Sequence, residues 1–275
     1  MKILFLIILL VLLVPKIQAF GEDEGNVDIE IELLSSIPGR DLQWDWWQAR
    51  TAFVPSSKDG KGTKSKWVTT MSETGRAVSH DFHDIFESVS YDQGVTWSKP
   101  KRLDSLRRFK QDDGYEVSAG DFWPTYHKKS GKIIATGKTF NFEKGTNENI
   151  RREKVSYAVM DPKNGEWGKL RFLEMPEKDY AGNIITAANA GNTQRVDLPN
   201  GDILLPVRYM ADSKKVNYTS IVALCRFDGE KLVYVKHGTE HSIPRDRGLY
   251  EPSLIEHKGE YFLTLRADHS GFVTK

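Results

Sequence analysis

The sequence predicts an all-β protein, and three observations lead to that prediction. Short runs of β-branched and aromatic residues recur along the chain, bounded by Gly, Asn, Asp and Pro. Beyond the N-terminal segment, no long apolar stretch repeats with the 3.6-residue period of an amphipathic helix. Glycine-containing turns such as "LPNGD", "FDGEK" and "EHKGE" separate the runs. Hairpins in series without intervening helices predict a sandwich, a barrel or a propeller.

The order of the hairpins favours a propeller over a barrel. A strand, an Asp/Gly turn and an aromatic strand return at 90–97 ("SYDQGVTW"), 159–167 ("VMDPKNGEW") and 226–234 ("RFDGEKLVY"), as in successive blades. The polar segment Asp104–Gly120 is predicted as a loop between blades or, equally, as a short solvated helix. The predicted strands are Lys66–Met71, Asp84–Ser90, Lys132–Thr136, Val155–Met160, Asp202–Arg208, Thr219–Phe227, Lys231–His237 and Glu260–Ala267.

The N-terminus reads as a secretory signal peptide. Lys2 precedes an apolar run from Ile3 to Val14, and Ile17 and Ala19 then occupy the two small-residue positions before a predicted cleavage after Ala19. The run is too short for a membrane span, which needs about 20 apolar residues. We therefore expect a signal at 1–19, a secreted or periplasmic protein without a membrane anchor after cleavage, and one propeller domain at 20–275.

Charge and cysteine content exclude several classes of function. The chain has 39 basic and 38 acidic residues, so neither a nucleic-acid surface nor a polybasic membrane surface is predicted. Cys225 is the only cysteine, and an intramolecular disulfide is therefore impossible. The fold must depend on its core, and the sequence gives no indication of oligomeric state.

The octapeptide at 90–97 has the spacing S-x-D-x-G-x-T-W. Asp92 can accept hydrogen bonds from turn amides, Gly94 can take a positive φ, and Trp97 can bury its ring beside the next strand. Too few carboxylates follow Asp92 for a calcium loop. The spacing resembles the Asp box of bacterial-neuraminidase repeats, and the chain resembles the sialidase superfamily of six-bladed propellers. That resemblance implies that the box lies on an outer rim, away from the chemistry.

The resemblance also implies two arginines that bind a sugar carboxylate and a glutamate beside one of them. Arg50, in "WWQARTAFVP", matches the arginine on the opening strand of the first blade. Glu251 and Arg266, 15 residues apart in "GLYEPSLIEHKGEYFLTLRADHSGFV", match the glutamate and the second arginine on one hairpin. A guanidinium suits this role because it offers a permanently charged, bidentate fork. A paired arginine at a blade edge and an ordinary cross-strand ion pair are the alternative interpretations.

A carboxylic acid that acts as general acid/base is expected between Arg50 and the Asp box. Glu73 is the best match, 23 residues after Arg50 and predicted on a loop after a strand, although the family usually has Asp there. Asp81 and Asp84 stay open for the same role. The cluster from His80 to Asp84 is a poor metal site because His80 and His83 would point to opposite faces of a strand. We expect His83 to contact substrate, and no metal or cofactor.

Three further residues are candidates for substrate binding. Asp121 belongs to "SAGDFWPTYH", near a blade entrance, where Trp123 could stack on a sugar or belong to the core. Gln194 and Arg195 precede a Pro-Asn-Gly hairpin and follow a glycine-containing loop that could face the substrate.

Length sets a limit on the resemblance. Six blades of about 40–50 residues each need more chain than this sequence offers, so we expect four to five blades and a C-terminally truncated propeller. The resemblance places a third arginine and a tyrosine nucleophile beyond Lys275. The expected function is a retaining sialidase-like exo-glycosidase that removes a terminal sialic acid, inactive as this chain. A glycan-binding propeller without catalysis, or a propeller glycosidase of other specificity, are the alternatives.

Overall fold

The computed structural model describes residues 36–38, 43–57, 64–76, 81–143, 145–146, 149–211 and 216–275. The predicted signal peptide and His80 lie outside these described residues. All strands belong to one compact unit, Ile37–Lys275. No helix in the described part of the chain is long and apolar enough to cross a membrane.

Four antiparallel sheets follow one another along the chain. The first contains β1 (Trp44–Val54), β2 (Lys66–Gly75), β3 (Phe82–Ser90) and β4 (Lys101–Arg102). The second contains β5 (Phe109–Lys110), β6 (Glu116–His127), β7 (Lys132–Phe142), β8 (Asn149–Ile150), β9 (Val155–Asp161), β10 (Glu166–Trp167) and β11 (Arg171–Phe172). Between the two sheets lies a single 3-10 turn, Asp104–Leu106.

The other two sheets have the same order of hairpins. The third contains β12 (Thr186–Asn189), β13 (Val196–Asp197), β14 (Ile203–Met210), β15 (Tyr218–Phe227) and β16 (Leu232–His237). The fourth contains β17 (Tyr250–His257), β18 (Glu260–Arg266) and β19 (Gly271–Thr274).

The core lies between consecutive sheets. One buried cluster joins Val54 and Val68 of the first sheet to Ile133 of the second. A second cluster joins Ile134 to Leu205 of the third sheet. A third cluster joins apolar residues of the third and fourth sheets. Ile133 and Ile134 point to opposite faces and both are fully buried, which requires a sheet covered on both sides.

Sheets that are stacked in chain order, each a meander of antiparallel strands, are the blades of a β-propeller. The all-β prediction is confirmed, and four blades fall within the expected number. The described residues contain no α-helix. The prediction of a loop or a helix over Asp104–Gly120 is wrong at its end, because β6 begins at Glu116.

The Asp box joins β3 to β4 and is held by its own side chains. Asp92 accepts hydrogen bonds from the Thr96 amide at 2.9 Å and from the Thr96 hydroxyl at 2.6 Å. The Ser90 hydroxyl donates to Asp92 at 2.8 Å and accepts from the Gly94 amide. Gly94 has a φ of 91°. The box therefore stabilises a turn at the end of β3.

Replacing Asp92 with alanine is expected to lower the melting temperature of the chain by a few degrees at neutral pH. The hydrogen bonds from the Thr96 side chain and backbone lower the pKa of Asp92 from 3.8 to about 2. Its stabilising contribution is therefore complete above the unfolded value of 3.8 and is lost as the pH falls through about 2. Melting curves of both proteins between neutral and strongly acidic pH check this, and a difference that persists at the lowest pH would contradict it.

Candidate functional site

The same backbone irregularity occurs on one early strand of each of the four sheets. Gln48, Asp121, Ala187 and Glu251 have φ values of 56°, 53°, 45° and 49°. Each lies where the pairing with the next strand shifts register, in β1, β6, β12 and β17. A β-bulge re-aims the side chains around it, and such bulges are common beside active sites. The four bulges, which we call the bulge level, therefore mark equivalent points on four blades.

Buried polar atoms without a partner concentrate at the bulge level. Arg50 and Asn189 lie one position past the bulge pair, and Thr70 and Arg208 are their neighbours on the adjacent strands. Burying a polar atom without a hydrogen bond costs about 1–3 kcal/mol, so such a concentration is typical of a site that binds a polar ligand. The side-chain atoms without a hydrogen-bond partner among the described residues include Arg50 Nε, Thr70 Oγ1, Asp121 Oδ1, Thr136 Oγ1, Asn189 Nδ2 and Arg208 Nε.

Side chains of three blades meet around Arg50. Its guanidinium lies 4.9 Å from the ring centroid of Trp123 and donates to Asn192 Oδ1 at 3.4 Å. The Asn192 amide donates to the Asp121 carbonyl oxygen at 3.3 Å, and the Asp121 amide donates to Gln48 Oε1 at 2.9 Å. Arg50 and Asp121, both predicted as substrate-binding, are thus brought into one network.

Asp121 forms a buried ion pair with Lys138, which sequence reasoning missed. Lys138 Nζ lies 3.2 Å from Asp121 Oδ2, with side-chain exposures of 9% and 5%. Lys138 pairs with Gly120, directly before the bulge of β6. A signal was present, because Lys138 is a lone cation in the otherwise apolar run "IIATGKTFNF" and a buried charge needs a partner.

The fourth blade has an equivalent ion pair between a carboxylate at its bulge and a cation on the neighbouring strand. Glu251 Oε2 accepts a hydrogen bond of 2.7 Å from Arg266 Nη1, and Arg266 pairs with Tyr250, directly before the bulge of β17. The predicted pair therefore exists on one hairpin. Its side-chain exposures of 27% and 56% are larger than in the second blade. The hydrogen bond to Glu251 raises the pKa of Arg266 above its ordinary value.

A buried tyrosine holds three arginines beside Glu251. The guanidinium carbons of Arg247, Arg266 and Arg208 lie 4.5, 5.0 and 5.8 Å from the ring centroid of Tyr250. The Tyr250 hydroxyl donates to Asp268 at 2.7 Å and accepts from Arg247 at 2.7 Å. Burial and the hydrogen bond to Asp268 raise the pKa of Tyr250. Cations favour ring faces, so this cluster is preorganised for negative charge.

Arg208 is the second functional residue that sequence reasoning missed. It is buried, and its Nη1 lies 3.9 Å from Glu251 Oε1, on the other carboxylate oxygen from Arg266. Glu251 therefore lies between two guanidinium groups. Arg208 is the single charge in the apolar run "ILLPVRYM", which is the same signal that marks Lys138.

The acid/base candidates lie near the end of β2 and the start of β3. Glu73 is buried and belongs to β2, so its predicted loop position is wrong. Asp81 is buried, and its Oδ1 lies 2.8 Å from His83 Nε2. Asp84 Oδ1 accepts from the Arg108 amide at 2.8 Å. Asp81, His83 and Asp84 thus form local contacts at the start of β3, and the choice among the three acids stays a prediction.

Gln194 and Arg195 lie toward the other end of the strands, on the segment that leads into β13. The Arg195 side chain is buried, bonds Asp197 at 2.8 Å, and donates to the carbonyl oxygens of Ile134 and Thr125. These contacts favour a brace between the second and third blades over substrate binding. Gln194 is exposed.

In the described part of the chain no group of three or more His, Cys, Asp or Glu side chains is arranged to hold a metal ion. The chemistry available at the bulge level is therefore that of arginines, a lysine, carboxylates and amides. Such a set binds an anionic or polyhydroxylated molecule and can move a proton through a carboxylate.

No protein-family model and no curated protein matches the sequence. Among solved structures, the chain is similar to a protein of unknown function from Dyadobacter fermentans, with a TM-score of 0.58, 13% identity, and coverage of 84% of this chain and 64% of that one. It is also similar to the Trypanosoma rangeli sialidase in complex with sialic acid, with a TM-score of 0.57, 14% identity, and coverage of 95% and 39%. The Hadza microbial sialidase Hz136 has a TM-score of 0.55 and 13% identity, with coverage of 84% and 44%.

This chain spans between 39% and 64% of the length of these three structures. Similarity at this level of identity shows the fold alone, which is a β-propeller.

Proposed function

We propose that the chain is an exported, sialidase-like glycoside-hydrolase propeller that recognises a terminal anionic sugar at the bulge level. The carrying observation is the concentration of arginines and unpartnered buried polar atoms where the first strands of four blades are bulged. A buried guanidinium that lacks a full set of partners favours an anion that supplies them. A sugar carboxylate has the planar, bidentate shape that matches a guanidinium.

Each candidate residue has a role in this proposal. Arg50 and Arg266 hold the sugar carboxylate, and Asp121 and Lys138 contact ring substituents. Glu73 is the acid/base that protonates the leaving oxygen, and Glu251 accepts a proton from a nucleophilic tyrosine. The resemblance does not match that tyrosine to a numbered residue of this sequence, so the proposal is tested first by binding.

A glycan-binding propeller without catalysis is the second candidate. Its support is that both bulge-level carboxylates, Asp121 and Glu251, are each neutralised by a neighbouring cation. A carboxylate held in an ion pair is a good anchor and a poor proton donor. A glycan panel with and without sialic acid separates both candidates from a propeller glycosidase of other specificity.

Titration calorimetry with the full-length chain tests the proposal. We expect N-acetylneuraminic acid to bind about 10- to 100-fold more tightly than its methyl ester, because the ester lacks the charge that completes the arginine hydrogen bonds. The neutral sugar N-acetylmannosamine is the matched control and should behave like the ester. Equal affinity for acid and ester would contradict anion recognition, and robust turnover of a fluorogenic sialoside would show that the nucleophile lies within this chain.

A further inference from the structure

A cavity of about 520 Å³ opens at one end of the strands, and the candidate acids lie at the other end. It lies between the C-terminal halves of β1 and β6 and the segment that carries Gln194. Glu73, Asp81 and Asp84 are at the opposite ends of the strands of the first blade, near the end of β2 and the start of β3. The volume is within the range of sites for small organic ligands.

Aromatic side chains line this cavity without closing it. Phe53 points out of β1 with 54% of its surface exposed, although the residues on either side of it are buried. Trp123 and Tyr126 are partly exposed on β6. The Trp123 ring is held in place by the Arg50 guanidinium. Rigid, partly exposed aromatic rings offer an apolar face beside a wet rim, which suits the apolar face of a sugar ring.

Apart from Lys128 at its rim, the polar groups of the cavity are uncharged or already neutralised. The side-chain amide of Gln194 is exposed and makes no hydrogen bond within the described residues, so it can both donate and accept. Arg195 is neutralised by Asp197 and spends two further hydrogen bonds on carbonyl oxygens. Lys128 is exposed at the rim. The lining therefore lacks the concentrated charge of the bulge level.

We propose that this cavity is a second sugar site, specific for a neutral saccharide and separate from the anionic site. A pyranose would stack on Phe53 or Tyr126, and its hydroxyls would exchange hydrogen bonds with the Gln194 amide. This assignment does not depend on the proposed function, because its contacts to the sugar come from Phe53, Tyr126 and Gln194, to which the proposed function gives no role. It gives a common role to Trp123 and Gln194, which the sequence singled out separately.

Saturation-transfer NMR with the full-length chain and lactose tests the second site. We expect saturation transfer to lactose with a dissociation constant of about 1 mM, as is usual for a shallow site. Phe53→Thr, which keeps a good strand residue, and Gln194→Ala should each weaken lactose binding about fivefold, because each removes one contact. Phe109→Thr, at an exposed phenylalanine outside the cavity, is the matched control and should not change it.

Competition separates this site from the anionic one. We expect an excess of N-acetylneuraminic acid to leave the lactose signal unchanged. Displacement of lactose by that acid, absence of saturation transfer to lactose, or unchanged binding in both cavity variants would each overturn the second site. None of these results bears on whether N-acetylneuraminic acid itself binds better than its methyl ester, so the two proposals fail independently.

Discussion

Replacing Asp121 with alanine is expected to destabilise the chain by about 3–5 kcal/mol, because the ammonium group of Lys138 then stays buried without its carboxylate. Both side chains are almost fully buried, and Lys138 Nζ also lies 4.3 Å from the ring centroid of Phe140. Gly191 packs so closely on this pair that a Cβ there would lie 2.7 Å from Asp121 Oδ2. The ammonium group therefore has little room to move to water.

Urea unfolding of the full-length chain measures this loss. Asp121→Asn is the matched variant, since Asn also tolerates the φ of 53° and isolates the effect of charge from that of the backbone. We expect Asp121→Asn to lose most of the free energy of unfolding that Asp121→Ala loses. Adding Lys138→Met to Asp121→Ala should restore much of the lost free energy of unfolding, because the double variant no longer buries an unpaired charge. A double variant as unstable as Asp121→Ala would show that the backbone at the bulge, and not the ion pair, is responsible.

Several strands after the first of each blade could be predicted from the sequence, and the first strands were harder. Val155–Asp161 and Tyr218–Phe227 are continuous runs with strong strand propensity, and their predicted ends were correct to within one residue. In contrast, β6 contains Gly120, a bulge and Pro124, which interrupt the period of two on which strand prediction depends. The irregularity that hid this strand is the one that positions the candidate site.

The residues of the candidate site also divide into those that the sequence indicated and those that it did not. The resemblance to the sialidase superfamily indicated Arg50, Glu251 and Arg266, because it matches residues by their position along one or two hairpins. Lys138 and Arg208 were missed because their importance depends on a bulge in the neighbouring strand, which no short window of sequence reveals. What the sequence did contain was a cation inside an uncharged run of each of two buried strands, and the cost of burying a charge makes such cations candidates without any alignment.

Replacing Arg266 with alanine is expected to weaken the binding of N-acetylneuraminic acid about 100-fold with little change in stability. Arg266 is more than half exposed, so its pair with Glu251 contributes about 0–1 kcal/mol to folding. For a bound carboxylate, loss of a charge-assisted bidentate contact is far more costly. Arg266→Lys should recover only part of the affinity, because an ammonium group lacks the planar fork.

Arg171→Ala provides the matched control for this prediction. Arg171 forms a comparable exposed pair with Glu230, and the hydrogen bond to Glu230 likewise raises the pKa of Arg171. It lies on β11, and the strands β9 and β7 separate it from the bulged strand β6. We expect this variant to match Arg266→Ala in melting temperature and the unaltered chain in affinity. If both variants lost affinity equally, the effect would come from general charge, and the assignment of Arg266 to the sugar carboxylate would be wrong.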